Sequence, residues 1–383
     1  MKQQSPEKVS VVMSAYNHAP YVGAAIESVL SQSHENLEFL ISDDGSGDGT
    51  ADIIKSYNDP RIAFDASSVN RGACTSINKL INKASSDYVC IINSDDIWPN
   101  TEKIRIQLDI LKSLEDVAAV FGRAGYMNES GDSLVKEELD GGLVFDQSNK
   151  SQGEWLEHFF MLGNCFCHPS MMIRRNCYER LGLYKNALRQ VPDFEMWVRL
   201  LKKYNVFISE ENFVNFRLLP GRNASCNLGK NYPRIINEHY LVNRTFFSEI
   251  SDQIFIDGFS QYFVNRGTLD SRHIEVEKAL LYFHPKSIFH RTNQIIGLEK
   301  IYSMLQKTDF KVLLSTEYGI DDHWFHEKAS HVNVMSDREI HEDAMAKLQA
   351  ENFSLSRKVQ DMRKSLSWRI TFPFRVLRDF LPQ

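Results

Sequence analysis

Apolar and polar residues alternate along the first hundred positions in a way that predicts strands and helices taking turns. Val9-Ser10-Val11-Val12-Met13-Ser14-Ala15 is a near-continuous apolar run of strand length, followed by the loop-like Tyr16-Asn17-His18-Ala19-Pro20. From Tyr21 to Gln32, Val22, Ala25, Ile26, Val29 and Leu30 recur at spacings of three and four, the mark of an amphipathic helix. A second strand, Leu37 to Ser42, leads to a helix starting near Asp52. A short strand over Arg61 to Phe64 is followed by a helix from Ala73 to Ala84, and then by a strand from Asp87 to Asn93. Repeated strand-helix-strand units predict an α/β protein with a mostly parallel central sheet and right-handed crossovers. Both faces of such a sheet are buried, which explains why 9–13 and 88–92 are continuously apolar. The ends of the first, second and fourth strands then share one edge, where ligands of open α/β sheets bind.

Two of these strands end in paired carboxylates: Asp43-Asp44-Gly45-Ser46-Gly47-Asp48-Gly49-Thr50 after the second, and Asn93-Ser94-Asp95-Asp96-Ile97-Trp98-Pro99 after the fourth. Hard oxygen ligands in that position suit a divalent cation and a phosphate. Each motif also has a purely local reading, as an Asp/Gly turn and as a helix N-cap at Ser94 or Asp95.

Composition narrows the function. With 383 residues and 43% hydrophobic residues the chain can bury a large core, and its net charge of −6 argues against a nucleic-acid binder. The start, Met1 to Glu7, lacks the apolar core of a signal peptide and no stretch approaches eighteen apolar residues, so a cytoplasmic location is expected. The cysteines at 74, 90, 165, 167, 177 and 226 have neither zinc nor redox spacing and read as small core residues.

Asn231 to Lys307 has a helical, aromatic-rich pattern and predicts a helical extension packed on the α/β domain. Residues 308 to 338 look less regular. Met345, Leu348, Asn352, Leu355, Val359, Met362 and Leu366 form a heptad seam with Asn352 at a core position, which suits a parallel homodimer or, alternatively, a helix folded back on its own domain. From 357 to 383 seven Lys/Arg and two Asp are interleaved with Trp and Phe, a composition suited either to an anionic membrane surface, with a peripheral location on the inner face of the plasma membrane, or to a basic rim packed against the acidic body. The expected division is 1–226 α/β domain, 227–338 helical extension, and 339–383 short coiled coil with a basic amphipathic tail.

Five segments, Val9 to Asn17, Ser28 to Ser33, Asp43 to Thr50, Asn93 to Pro99 and Asp193-Phe194-Glu195-Met196-Trp197, together resemble the family 2 glycosyltransferases of the GT-A fold, in the family's order and over residues 8 to 226. The resemblance implies an inverting transferase that moves a sugar from a UDP- or dTDP-sugar to a hydroxyl of a cell-surface glycan or lipid-linked acceptor. It implies nucleotide contacts from Ser14, Ala15, Tyr16, Asp43, Asp44, Asn78 and Asp95, a Mn²⁺ or Mg²⁺ ion at Asp95 and Asp96, and Asp193 as catalytic base with Glu195 as the other candidate. His168 falls in the segment lining the acceptor side, and Arg217 or Arg222 would meet the phosphates.

Four positions depart from the family's pattern: Asn93 where Asp is frequent, Ile77 where Arg is frequent, Pro192 where Glu precedes the base, and Leu219 where His is frequent. They sustain a rival reading, a catalytically silent nucleotide- or glycan-binding scaffold. A sugar nucleotidyltransferase would need a Gly- and Lys-rich phosphate loop after the first strand, which Tyr16 to Pro20 does not supply.

Overall fold

A computed structural model of the chain describes residues 7–219, 231–267 and 269–332, together with Leu348, Asn352 and Leu355. Its strands are β1 (Val9–Ala15), β2 (Leu37–Asp43), β3 (Ile62–Ala66), β4 (Tyr88–Ile91), β5 (Val117–Met127), β6 (Ser133–Leu134), β7 (Met172–Arg174) and β8 (Asn205–Arg217). They form one sheet in the order β3-β2-β1-β4-β7-β5-β6, with β8 on β5. The β3-β2-β1-β4 half is parallel throughout, as the alternating pattern predicts. β7 is antiparallel to both neighbours, and β8 runs parallel to β5 along its length.

Seven helices are interspersed: α1 (Ala19–Leu30), α2 (Thr50–Lys55), α3 (Ala73–Lys83), α4 (Lys103–Ser113), α5 (Gln152–Met161), α6 (Asn176–Leu181) and α7 (Pro192–Leu201). The apolar runs of β1 and β4 feed two cores, one on each face of the sheet. Val12, Val89 and Ile91 join α3, α5 and α7 on one side, while Val11, Met13 and Cys90 join α1 and α4 on the other. Strand side chains point alternately to opposite faces, so a strand covered on both sides must be apolar at every position.

After β8 come α8 (Asn231–Asn243), α9 (Asp252–Phe259), α10 (Ser271–Leu281), α11 (His290–Leu305), α12 (Thr308–Glu317) and α13 (Asp322–His331). Phe246, Phe247, Phe255, Phe259 and Tyr282 of this extension belong to the same buried cluster as Phe159 and Phe160 of α5. Gly153 of α5 and Gly258 of α9 let two helix backbones meet, since a Cβ on Gly153 would lie 2.7 Å from Gly258 N. Residues 308–331, expected to be irregular, are instead two helices. Their short apolar sets, including Leu313, Leu314, Trp324 and Phe325, make sense only against α10 and α11, where a separate small core forms. Tertiary burial here outweighs a weak local pattern.

One compact unit ends at Ala329 and a second begins at Ser330. Of the heptad seam, Leu348, Asn352 and Leu355 are helical and exposed; its other positions and the basic tail lie outside the described residues. No described helix is long and apolar enough to cross a membrane.

Candidate active site

The carboxyl edge of β1 and β2 is built by polar side chains that stitch two loops together. Asn17 takes a left-handed conformation, φ 52°, that lets its amide donate to Ser46 Oγ at 2.9 Å while its Oδ1 accepts from Gly47 N at 2.9 Å. Asp48 accepts from Ala19 N at 3.0 Å and from Thr50 N at 3.0 Å, and Thr50 Oγ1 accepts from His18 N at 2.9 Å. Ser14 and Ala15 sit at the tip of β1, in register with Ser42 and Asp43. Tyr16, the next residue, is 44% exposed, an aromatic face open to solvent beside this edge.

Asp43 and Asp44 are both buried and committed to the loops around them. Asp43 accepts from Gly45 N at 3.2 Å and Ser46 N at 2.9 Å. Asp44 accepts from Arg71 N at 3.0 Å, Gly72 N at 2.8 Å and Ser76 Oγ at 3.1 Å, so it fixes the start of α3. Asn78, further along α3, is buried and exchanges hydrogen bonds with the backbone of Tyr184, donating at 2.8 Å and accepting at 3.0 Å. Its side chain thereby ties α3 to the loop that precedes α7.

The second acidic pair divides its labour. Asp96 is 1% exposed, and its two oxygens accept from Arg217 N at 2.8 Å and from Asn93 Nδ2 at 2.9 Å. Burial, reinforced by the neighbouring Asp95, pushes its carboxyl well above the usual range. Asp95 is less enclosed, lies 3.9 Å from His18 Nδ1, and is raised mainly by burial, with His18 pulling the other way. His18 Nδ1 also meets Ser94 Oγ at 2.8 Å. Arg217, expected at the phosphates, is buried behind this pair. Its Nε donates to the Asp95 carbonyl at 2.9 Å, its Nη1 donates to the Asn128 and Glu129 carbonyls, and its guanidinium lies 4.8 Å from the Tyr21 ring centroid. It secures the acidic turn from within. Arg222 lies outside the described residues.

Asp193 stands in the first turn of α7, after the N-cap Val191 and Pro192, so it is not itself the cap. Its Oδ2 accepts from Asn164 Nδ2 at 2.8 Å and its Oδ1 from Phe194 N at 2.8 Å. Glu195 differs sharply. Both its oxygens face Arg199, at 2.7 and 2.8 Å, and Arg199 also donates to the carbonyls of Leu181, Gly182 and Leu183. Glu195 is thus engaged in a clamp with Arg199, while Asp193 is held only by the Asn164 side chain and the Phe194 amide. His168 bonds Tyr184 through Nε2 at 2.9 Å, and burial lowers its pKa against the opposing pull of Asp193. Trp197 is fully buried core, edge-on to Phe121.

Comparison with known proteins agrees with this architecture. The model of glycosyl transferase family 2 matches residues 10–182. The glucosyltransferase WfaP of Escherichia coli, named as acting between UDP-Glc and α-D-GlcNAc-diphosphoundecaprenol, is 36% identical over 199 residues, covering 51% of this chain and 71% of WfaP. The chain belongs to glycosyltransferase family 2. TuaG of Bacillus subtilis, named for teichuronic acid biosynthesis, is 31% identical over 217 residues, 55% of this chain and 79% of TuaG. The chain spans only 37% of the length of another relative, an uncharacterized glycosyltransferase of Rickettsia felis. Among solved structures, Staphylococcus aureus TarS 1–349 in complex with UDP-GlcNAc shares the fold, with a TM-score of 0.53 at 14% identity, over 82% of this chain and 92% of that one.

Within this family 2 glycosyltransferase, no group of three or more His, Cys, Asp and Glu among the described residues is placed to hold a metal alone. One carboxylate completed by substrate phosphates is the pattern expected of a hard, hydrated cation, and of the two acidic residues Asp95 is the less enclosed, while Asp96 is 1% exposed. Sequence reasoning missed His18, Asp48 and Asn164. Tyr16 to Pro20 read only as a loop, and Asn164 meets Asp193 from 29 positions away, a contact no local pattern announces.

Proposed function

We propose that this glycosyltransferase is inverting, with Asp193 as the general base that takes the proton of an acceptor hydroxyl. The observation that carries this reading is the contrast within α7: Glu195 is paired to Arg199, while Asp193 is partly exposed, is in no ion pair among the described residues, and is turned by the Asn164 amide. A carboxylate held by one amide and one backbone N–H keeps lone pairs for a hydroxyl. As that oxygen attacks the anomeric carbon from the face opposite the diphosphate, the new bond forms while the bond to the leaving phosphate oxygen breaks, and Asp193 carries the proton.

The donor is a UDP- or dTDP-sugar, bound along the edge where Ser14, Ala15 and Tyr16 meet Asp43 and Asp44. Tyr16 offers an exposed ring against which a base can stack. Asp43, Asp44 and Asn78 shape the pocket through the loops they hold, and Asp96, Asn93 and Arg217 position Asp95. A Mg²⁺ or Mn²⁺ ion at Asp95 would neutralise charge on the departing diphosphate. The acceptor is a hydroxyl of a cell-surface glycan or of a lipid-linked saccharide, which the names of TuaG and WfaP support. Exposed Leu348 and Leu355, either side of Asn352, support a homodimer seam in the second unit.

The test is a panel of UDP- and dTDP-sugars incubated with the full chain, with and without Mn²⁺, scored for thermal stabilisation and for release of nucleotide diphosphate. Release of nucleotide diphosphate from one donor by the parent but not by Asp193→Asn is the expected result, and stabilisation without release would favour the silent scaffold. No response in the presence of a glycolipid extract would overturn it in favour of the silent scaffold.

A further inference from the structure

We infer that Glu238, on helix α8 of the extension, is a positioning residue for Asp193; this rests on the reading of Asp193 as the base. The start of α7 cannot be capped by its own sequence. Val191 at the N-cap offers no side-chain acceptor, Pro192 has no N–H, and of the backbone amides of this turn the Asp193 carboxylate takes that of Phe194. The amides of the incoming chain still need partners, because buried N–H groups without one are costly.

Glu238 supplies them. One oxygen accepts from Arg189 N at 3.0 Å, and the other from Arg189 N at 3.0 Å, Gln190 N at 2.7 Å and Val191 N at 3.1 Å. Three successive amides converge on one buried carboxylate, a backbone nest filled by a side chain nearly fifty residues away in sequence. Its negative charge also lies where the α7 dipole favours one.

The neighbouring residue of α8 grips the other side. The His239 ring lies 4.7 Å from that of Phe194 and 4.3 Å from that of Phe289. Consecutive residues of α8 therefore hold the three positions just before Pro192 and the one just after Asp193. The base sits between two contacts that come from outside the segment matched by the family model, which ends at 182. The extension is then part of the catalytic apparatus: general-base transfer needs its carboxylate placed to within a fraction of an ångström, and that placement is set by Glu238.

The experiment uses the full chain carrying Glu238→Ala or Glu238→Gln, read by hydrogen exchange at the amides of 189–191, by UDP affinity, and by transfer kinetics with the donor identified in the panel. In Glu238→Ala the three amides lose protection, kcat falls about 100-fold and UDP affinity is unchanged. Added formate, small enough to enter the vacated nest, restores part of kcat. Glu238→Gln, which keeps the shape and one acceptor oxygen, loses less, and it carries the same measurements should the alanine variant fail to fold.

Amides that stay protected without the carboxylate would overturn the inference, as would unchanged kcat in a variant whose amides have opened. A merely structural role would lower the melting temperature and leave kcat per folded molecule intact. Failure of the Asp193 reading shows separately, as full transfer by Asp193→Asn.

Discussion

Arg217 holds both members of the second acidic pair: its amide donates to Asp96 Oδ1 at 2.8 Å and its guanidinium to the Asp95 carbonyl at 2.9 Å. The end of β8 is thereby locked to the end of β4, although the two strands are not neighbours in the sheet. Arg217→Ala should cost about 3 kcal/mol of stability, because the buried carbonyl of Asp95 and the partly buried contacts to the Asn128 and Glu129 carbonyls lose a charged donor. Mn²⁺-dependent UDP binding should weaken in the folded protein. Arg217→Lys keeps the charge but cannot reach three carbonyls in a fixed fork, so it should recover little of either property. Denaturant unfolding and calorimetric UDP titration check both.

The two members of that pair should respond differently to neutralisation. Asp95→Asn should weaken UDP binding in Mn²⁺ by at least about tenfold, roughly 1.4 kcal/mol, with little effect on stability. Asp96→Asn replaces an acceptor of two hydrogen bonds in a closed site, and its main effect should be on stability. Equal losses of metal-dependent binding in the two variants would show that Asp96 also turns toward the cation.

Asp193→Asn should lower transfer about 10³-fold while UDP affinity stays at the parent level. Glu195→Gln should instead lower stability by about 2 kcal/mol, through loss of a charge-assisted pair, and leave kcat per folded molecule unchanged. Rate measurements normalised to the folded fraction distinguish the two outcomes.

Much of this arrangement is legible in the chain itself. The continuous apolar runs of β1 and β4 announce a sheet covered on both faces. What the pattern conceals is which polar residues face inward to one another. A linear reading offers Arg217 to the phosphates and Glu195 as a base, and gives no sign of the backbone carbonyls and the Arg199 side chain that the fold brings to them. Asn164 and Glu238 carry no motif, and each meets the start of α7 across 29 or more positions. The helices over 308–331 escaped notice for a related reason, since their apolar residues form a face only against α10 and α11.

The glycine contact between α5 and α9 offers a test of how firmly the extension is joined to the sheet domain. A Cβ on Gly153 would approach Gly258 N and the Ile254 carbonyl, each to 2.7 Å, and backbone atoms of a helix cannot yield without moving the helix. Gly153→Ala should therefore cost about 3 kcal/mol in overpacking strain, although alanine is the better helix former. Denaturant unfolding measures the cost, and a second, earlier transition reported by aromatic fluorescence would show the extension separating first. An unchanged midpoint would mean the two helices slide apart easily.

His239 should make stability fall in mild acid. It is buried between Phe194 and Phe289, its Nδ1 has no hydrogen-bond partner, and burial lowers its pKa to about 4, from an ordinary value near 6.5. The folded state thus refuses a proton that the unfolded state accepts. Above pH 6.5 neither form is charged and the contribution is fully present; between 6.5 and about 4 it is lost progressively, up to about 3 kcal/mol. His239→Phe fills the site without a titrating group, so the difference in unfolding free energy between parent and variant should widen as the pH drops from 7 to 4.5. A difference that does not change with pH would show that the ring is protonated in the folded protein or reached by solvent.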